Sequence, residues 1–572
     1  MQGSSQYYLR GEVLNEKGKL LPNVKILVQS KGAYAFFTGT RGSFGIPAST
    51  LTDSIFLYSE GYEPFKQLVD CNKYQKLVMK ELPRSAISTM NRLVSVIKNQ
   101  QIFDRTISFH SNESYNSLVE NDFTATSKYP ETGFALTIDR ASYSNVRRFL
   151  HYGGPVPPDA VRIEELLNYF DFSRNKNEFV SDKTFSCQTN ITSAPWSSKN
   201  QLLFINLQAP KIDVDFLPPT NLVFLIDISG SMDRENRLPL LQSAFKILVK
   251  NLRAKDSVAI VTYGGGVGIL LQPTSGGQKE KINNAIEQLV AGGDTPGEAG
   301  IRTAYQIAER SFNRNANNRI ILATDGDFNV GQTSDKELEE LINNHRQTGI
   351  YLTCLGVGMG NYKDSKLETL AKKGNGNFAY IDNVGEAEKV LLKEFTKTMY
   401  AVANDARISI TFNPALVSKY RLIGFDNKKD ALEDSTSEIE GGEVGSGHSL
   451  MAVFELEPAT DQPLADSSKQ VCFLNLHYKL PGKEDKLTDR FSAVLNYRPI
   501  EQTDSSLRFA TAVLMFGELL KQSPFSKLYT WSDAEKLALG SAKNYDLVQT
   551  EFISLVNKAK QVYTDKKRKK AE

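Results

Sequence analysis

Residues 222–233 are LVFLIDISGSMD, five apolar residues that run without alternation into Asp227, followed by Ser229 and Ser231. An apolar run with no polar alternation is the pattern of a strand covered on both faces, as in a parallel sheet. Three more runs of this kind follow: SVAIVTYG, RIILATD and IYLTCLGVG. Between and after them lie LPLLQSAFKILVKNL, EKINNAIEQLV, EAGIRTAYQIAERSF, DKELEELINNHRQ and EAEKVLLKEFTKTM, each with apolar residues at helical spacing. Strands alternating with helices in this way predict a doubly wound, mostly parallel α/β sheet over residues 218–400.

Ligands of an open parallel sheet bind beyond the carboxyl ends of its strands. Asp227 stands at such an end, and near-extended chain turns Ser229 and Ser231 to the same side. Gly230 permits the bend between them. The run RIILATDGDF brings Asp325 to the same end, and AGGDTPGEAG places Thr295 just before a helix. Two neighbouring carboxylates repel unless a cation lies between them. The donors are all oxygens, which selects Mg²⁺, Mn²⁺ or Ca²⁺ over zinc. Two carboxylates and neutral hydroxyls leave the ion with residual charge and an open position, which a carboxylate of another molecule would fill. Plainer roles compete: Asp325-Gly326 alone is a turn signal, and Thr295 opens the capping box Thr295-Pro296-Gly297-Glu298. Asp233, Asp294 and Asp327 lie close in sequence, as supporting carboxylates or as solvated side chains.

Elsewhere the chain changes character. Residues 1–82 carry about seven short strand patterns separated by turn clusters, which suits a small β-sandwich. Residues 83–125, rich in Ser, Asn and Gln, are expected to be a linker, with MNRLVSVIKN as a short helical pattern inside it. Residues 126–175 fit two helices, one over 142–150 and one after Pro157-Pro158-Asp159 with Ile163, Leu166, Leu167 and Phe170 on one face. Residues 180–215 and 404–500 return to strand patterning on either side of the α/β unit and are expected to close into one sandwich, with 426–448 as a mobile loop. Residues 505–565 are helical, with 3.6-period apolar faces in LRFATAVLMFGELLKQ and DLVQTEFISLVNKAKQV.

Asp227-Ile228-Ser229-Gly230-Ser231, with Thr295 and Asp325, resembles the metal-ion-dependent adhesion site of von Willebrand factor type A (VWA) domains. That resemblance implies Mg²⁺ or a similar ion held by Asp227, Ser229, Ser231, Thr295 and Asp325, and an acidic residue of a protein partner completing the coordination. NVRRFL, PPDAVRIEELLNYFD, PPTNLVFLIDISGSM, RIILATDGDFNVG and GNGNFAYID are similar to one bacterial group of these proteins, over about residues 120–562. That group adds a segment before the VWA domain and a helical C-terminal domain of unknown function. Its segment usually has an acidic residue where this chain has Thr137. GEVLNEKGKLLPNVKILVQ, GTRGSFGIP and DSIFLYSEGYEP resemble the carboxypeptidase regulatory-like, transthyretin-like domain, a non-catalytic module. Thr38-Gly39-Thr40-Arg41-Gly42 departs from that family's Thr-Asp pair.

The formal net charge of the 572 residues is +2, so no global field favours nucleic acid or an anionic membrane. The basic run Lys566-Lys567-Arg568-Lys569-Lys570 is expected to be a frayed, solvated tail. Cys71, Cys187, Cys354 and Cys472 form no CxxC pair, which excludes a zinc framework or disulfide scaffold. The five histidines are scattered, and Gly264-Gly265-Gly266-Val267-Gly268 lacks the Lys-Ser/Thr of a phosphate-binding loop, so it is read as a hairpin turn. No catalytic constellation emerges, and the function expected is metal-dependent protein binding. The alternatives are a metal-dependent hydrolase, with Asp327 as its base, and a scaffold stapled by metal. No apolar run spans a membrane, and MQGSSQYYLRG lacks a signal-peptide core. The resemblances point to an exported envelope protein, often lipid-anchored, whose signal is already removed. A cytoplasmic location is the alternative.

Overall fold

The computed structural model describes residues 7–81 and 113–571. Excepted are 23, 32–34, 40–41, 49, 60–61 and 64 in the first span, and 137–138, 173–184, 213–216, 294–296, 327–334, 359–361, 395–396, 398–399, 426, 429–440, 461–468, 484 and 544–545 in the second. The chain divides into two compact units, Met1–Arg92 and Leu93–Glu572.

Among the described residues of the first unit, seven strands form two sheets. Tyr7–Asn15 lies between Ser43–Ala48, antiparallel, and Tyr74–Met79, parallel. Lys25–Val28, Ala35–Phe37, Thr52–Tyr58 and Phe65–Asp70 form the other sheet, entirely antiparallel. Alternate side chains such as Leu9, Val13, Ile26, Val28, Ile55, Leu57, Leu77 and Met79 fill one core, the period-2 pattern of strands buried on one face.

The second unit is built on a six-stranded sheet: β1 Thr220–Asp227, β2 Ser257–Tyr263, β3 Gly268–Ser275, β4 Asn317–Thr324, β5 Ile350–Gly356 and β6 Phe378–Tyr380. Their order is β3-β2-β1-β4-β5-β6, and every pairing is parallel except β2 with β3. Leu222, Phe224 and Ile226 of β1 pack with helices Leu238–Asn251 and Lys279–Glu287. Val223 and Leu225 pack with Gly297–Arg310, Asp335–Gln347 and Asp364–Lys373 on the other face. Every side chain of β1 is buried, which is why its sequence shows no alternation. The antiparallel edge β3 departs from the parallel pattern expected: GILLQPTS is only partly buried and carries a proline, as an edge strand allows.

The linker expected over residues 83–125 ends earlier. Leu118–Val119 pairs with Asn427–Lys428, and Thr124–Ala125 pairs with Val417–Ile423. Backbone hydrogen bonds also link Ser114 to Tyr362 and Ser365, so residues 113–125 are part of the second unit. The helical pattern MNRLVSVIKN lies outside the described residues.

The two flanks of the α/β sheet meet in a sandwich. One sheet joins Glu131–Ala135, Ala401–Phe412, Gln470–Lys479 and Lys486–Val494, with Gly442–Gly445 paired to the second of these. The other joins Ser186–Ser193, Gln201–Gln208, Ser449–Pro458 and Val417–Ile423. Phe134, Leu203, Ile205, Ile408, Ile410, Phe454 and Leu474 lie in the core between them. The segment over 126–175 therefore contributes a strand, Glu131–Ala135, as well as helices Ala141–His151 and Ile163–Leu167.

The outer face of the second sheet, with Leu202, Phe204, Met451 and Val453, is covered by those two helices and by Ser505–Lys521 and Leu547–Ala571. Phe170, Phe509, Phe516 and Phe552 meet there edge to face, with ring centroids 5.1–5.5 Å apart. Among the described residues of the C-terminal part there are three α-helices rather than the two read in sequence, the third being Trp531–Leu539 behind a Thr530–Asp533 capping box. The backbone of the basic run at 566–570 continues the last helix instead of fraying.

Candidate metal centre

Asp227 ends β1, beside Tyr263 at the end of β2, and Asp325 follows the last residue of β4. Parallel register thus brings both carboxylates to one rim, where they are 1 % and 2 % exposed. Ser229 is half-buried and Ser231 exposed, so the hydroxyls form the solvent side of the cluster.

The oxygens are linked in a chain. Asp227 Oδ1 accepts the Ser229 backbone N–H at 2.9 Å. Ser229 Oγ lies 3.1 Å from Ser231 Oγ, and the Ser231 hydroxyl donates to Asp325 Oδ2 at 2.8 Å. Because the one Ser231 proton goes to Asp325, Ser229 is the donor in the serine pair. Asp227 Oδ2 accepts the Thr324 hydroxyl at 2.8 Å and the Tyr263 hydroxyl at 3.1 Å. Burial pushes the Asp227 carboxyl above the usual carboxylate range. Hydrogen bonds from Ser229 and Thr324 pull it back, and the Asp325 charge adds to the rise. Burial likewise raises the Tyr263 phenol well above its ordinary value, which keeps it a donor.

Two glycine loops seat the ligand loop. Ile228 donates to the Tyr263 carbonyl, Gly292 to the Ile228 carbonyl, both at 2.7 Å, and Gly230 to the Gly293 carbonyl at 3.0 Å. Gly264 has φ +114°, and a Cβ there would lie 2.3 Å from the Ser229 nitrogen. Gly293 has φ +93°, and its Cβ would lie 2.4 Å from the Gly265 Cα. Gly264 and Gly265 therefore do more than turn the β2–β3 hairpin: with Gly293 they let three backbones touch where no side chain fits.

Of the residues expected to bind metal, Asp227, Ser229, Ser231 and Asp325 come together. Thr295 lies outside the described residues, as do Asp294, Asp327 and Thr137. Asp233 is exposed. Arg237 was not anticipated. Its Nη1 donates to the Ser231 carbonyl at 2.6 Å and pairs with Asp325 Oδ2. Tyr263 and Thr324 were also missed, although both occupy the carboxyl ends of recognisable strands, where β1 register would have placed them beside Asp227.

The arrangement suits a hard cation. Adjacent oxygens of an octahedron with ~2.0–2.1 Å metal–oxygen bonds stand ~2.9 Å apart, close to the serine and Asp325 separations. Among the described residues no group of three or more His, Cys, Asp or Glu side chains could hold a metal, and the oxygens that accompany Asp227 and Asp325 here are serine hydroxyls. Asp227, Ser229, Ser231 and Asp325 would hold it, and it would supply Lewis-acidic charge toward solvent.

The von Willebrand factor type A domain family matches residues 221–396, and a second von Willebrand factor family matches residues 109–204. The family described as "Uncharacterized protein YfbK, C-terminal" matches residues 397–562. The chain is 38 % identical over 468 residues to the uncharacterized protein YfbK of Escherichia coli (strain K12), an alignment covering 78 % of this chain and 80 % of that protein. Inter-alpha-trypsin inhibitor heavy chain H2 of Mesocricetus auratus is 28 % identical over 163 residues, 27 % of this chain and 17 % of the inhibitor chain. Among solved structures, a von Willebrand factor type A protein from Catenulispora acidiphila aligns at 16 % identity and TM-score 0.39, covering 64 % of this chain and 88 % of that one.

Fold and sequence together define a protein with a VWA domain, a class of domain that commonly mediates protein–protein interaction and often binds a divalent metal. More narrowly, the chain belongs to the bacterial family of VWA proteins that carry the YfbK C-terminal domain.

Proposed function

We propose that the chain is a non-catalytic protein of the bacterial cell envelope that binds a protein partner through a divalent ion. The ion is Mg²⁺, or Mn²⁺ or Ca²⁺, held by Asp227, Ser229, Ser231, Thr295 and Asp325. The observation that carries this reading is the pairing of two buried carboxylates with hydroxyls that face solvent. An ion bound there has its anionic ligands on the protein side and neutral ones on the outer side, so it attracts an acidic side chain from outside. The resemblance of residues 1–82 to the carboxypeptidase regulatory-like domain supports a non-catalytic role for that module. Localisation rests on that resemblance and on the similarity to the bacterial group of VWA proteins. No helix among the described residues is long and apolar enough to cross a membrane.

Pull-down of partners from envelope extracts in Mg²⁺, repeated in EDTA, tests the proposal. The bound partner should be released by EDTA, and Asp227→Ala should retain none. Partner binding at full strength in EDTA would sink the metal-dependent mechanism.

A further inference from the structure

Where the segment before the VWA domain meets helix Asp364–Lys373, the second unit buries more anions than cations. Asp139, Glu165, Asp364 and Glu368 are each at most 8 % exposed. Arg162, equally buried, lies among them. Its Nη1 donates to Asp364 Oδ1 at 2.7 Å, its Nη2 to Asp364 Oδ2 at 3.4 Å, and its Nε to Glu165. Lys372 closes the cluster from the rim: its side chain is 39 % exposed, and Nζ donates to Glu368 Oε1 at 2.7 Å. Neutral donors serve further oxygens. The Phe378 N–H reaches Asp139 Oδ1, the Ser142 N–H Glu165 Oε2, and Asn116 Nδ2 Glu368 Oε2, each at 2.8 Å.

The charges that act most strongly on Asp139, Glu165 and Asp364 are those of Arg162, Lys372, Glu368 and one another. Nearby, Glu113 is paired with Arg148 at 2.8 Å. The Tyr115 and Tyr362 phenols and the Cys354 thiol, all pushed up by burial, stay neutral. Four carboxylates against two cations leave an excess of negative charge when all are ionised, and buried charge without a counter-ion is costly. Protons relieve it. Burial and the neighbouring carboxylates push Asp139 and Glu165 above the usual range against the pull of Arg162, and Asp364 is pushed up to about 6.

We propose that this cluster is a proton-operated latch, which holds residues 139–165 against helix Asp364–Lys373 at mildly acid pH and loosens as pH rises. A raised carboxyl holds its proton more tightly in the closed arrangement than in an open one, where ordinary values return, so opening releases protons. The closed form has its full advantage below the ordinary aspartate value of 3.8 and loses it as pH rises through about 6. Each unit of difference between the two values changes the opening equilibrium about tenfold.

Hydrogen exchange of the full chain, read by mass spectrometry on peptides from 139–165 and 364–378, tests the latch at pH 5 and pH 7.5. Wild type, Asp139→Asn and Lys372→Met are compared at each pH, so that intrinsic exchange rates cancel. Asparagine keeps the carbonyl that accepts from Phe378 and removes one charge of the excess. At pH 7.5 Asp139→Asn should therefore exchange about tenfold more slowly than wild type. Lys372→Met removes an exposed cation, adds to the excess, and should exchange about tenfold faster. At pH 5, where protons neutralise the excess, both differences should largely vanish, and peptides from Ser449–Pro458 should not change at either pH. The two variants act in opposite directions, so either one decides the matter should the other fail to fold. Differences of equal size at both pH values would make these residues ordinary packing contacts and overturn the proposal. Faster exchange in Asp139→Asn at pH 7.5, or no difference from wild type in either variant, would overturn it equally.

Discussion

Asp227 is buried among hydroxyl donors, and its proton competes with any metal at a higher pH than for an exposed aspartate. A carboxyl whose folded pKa is raised holds its proton more tightly in the folded chain. Metal-free stability therefore falls as pH rises from the ordinary aspartate value of 3.8 through the raised folded value. A bound cation reverses this cost. Metal affinity should accordingly drop as pH falls through the Asp227 titration, up to tenfold per pH unit below it, as measured by calorimetric titration between pH 7.5 and 4.5. Arg237 acts in the opposite sense to Asp227, because its guanidinium already neutralises Asp325. Arg237→Met should raise Mg²⁺ affinity several-fold, and unchanged or weaker binding would show that its bond to the Ser231 carbonyl matters more than its charge. The serines and aspartates of this cluster were legible in the sequence because strand ends and alternate spacing predict where they point. Arg237 was not, because its position depends on how the following loop folds back onto Asp325.

At the scale of elements, β1 and its loop work only because neighbouring loops lack side chains. Gly264 and Gly293 combine left-handed φ values with contacts under 2.5 Å to any added Cβ. Gly293→Ala should lower the melting temperature by an amount equal to about 1–3 kcal/mol and weaken metal binding more than a surface Gly→Ala control, Gly45→Ala, which has open space around it and no left-handed φ. Four of the five parallel strands, β1, β2, β4 and β5, were visible as unalternating apolar runs. The antiparallel edge β3 was not, since its polar exposed face and proline break the run. The short strands Leu118–Val119 and Thr124–Ala125 were read as linker for a related reason: two-residue strands carry no periodicity, and only their partners at 417–428 define them.

Across the whole molecule, the sandwich and the helical layer are joined by a buried ionic knot. Arg421 donates to Glu455 at 2.7 Å and to Glu518 at 2.8 Å, and all three side chains are almost fully buried. Arg421→Met would leave two carboxylates without their cation and should cost about 3–5 kcal/mol, read as a lowered denaturant midpoint. The metal-site residues all lie within Leu93–Glu572. A chain shortened to residues 93–572 should therefore bind Mg²⁺ within about twofold of the full chain, on the additivity expected of independent units. The expectation that the flanks 180–215 and 404–500 close on each other came from their shared strand patterning. The pairing of individual strands was not readable, because contacts across more than two hundred residues leave no local signal.

The central claim is that two buried carboxylates and two hydroxyls make a divalent-metal site. Isothermal titration of Mg²⁺, Mn²⁺ and Ca²⁺ into EDTA-stripped protein, beside Asp227→Ala, tests it most directly. One-to-one binding by the wild type, abolished in the variant, is the predicted result. Binding of equal strength in both proteins would place the ion elsewhere and contradict the account.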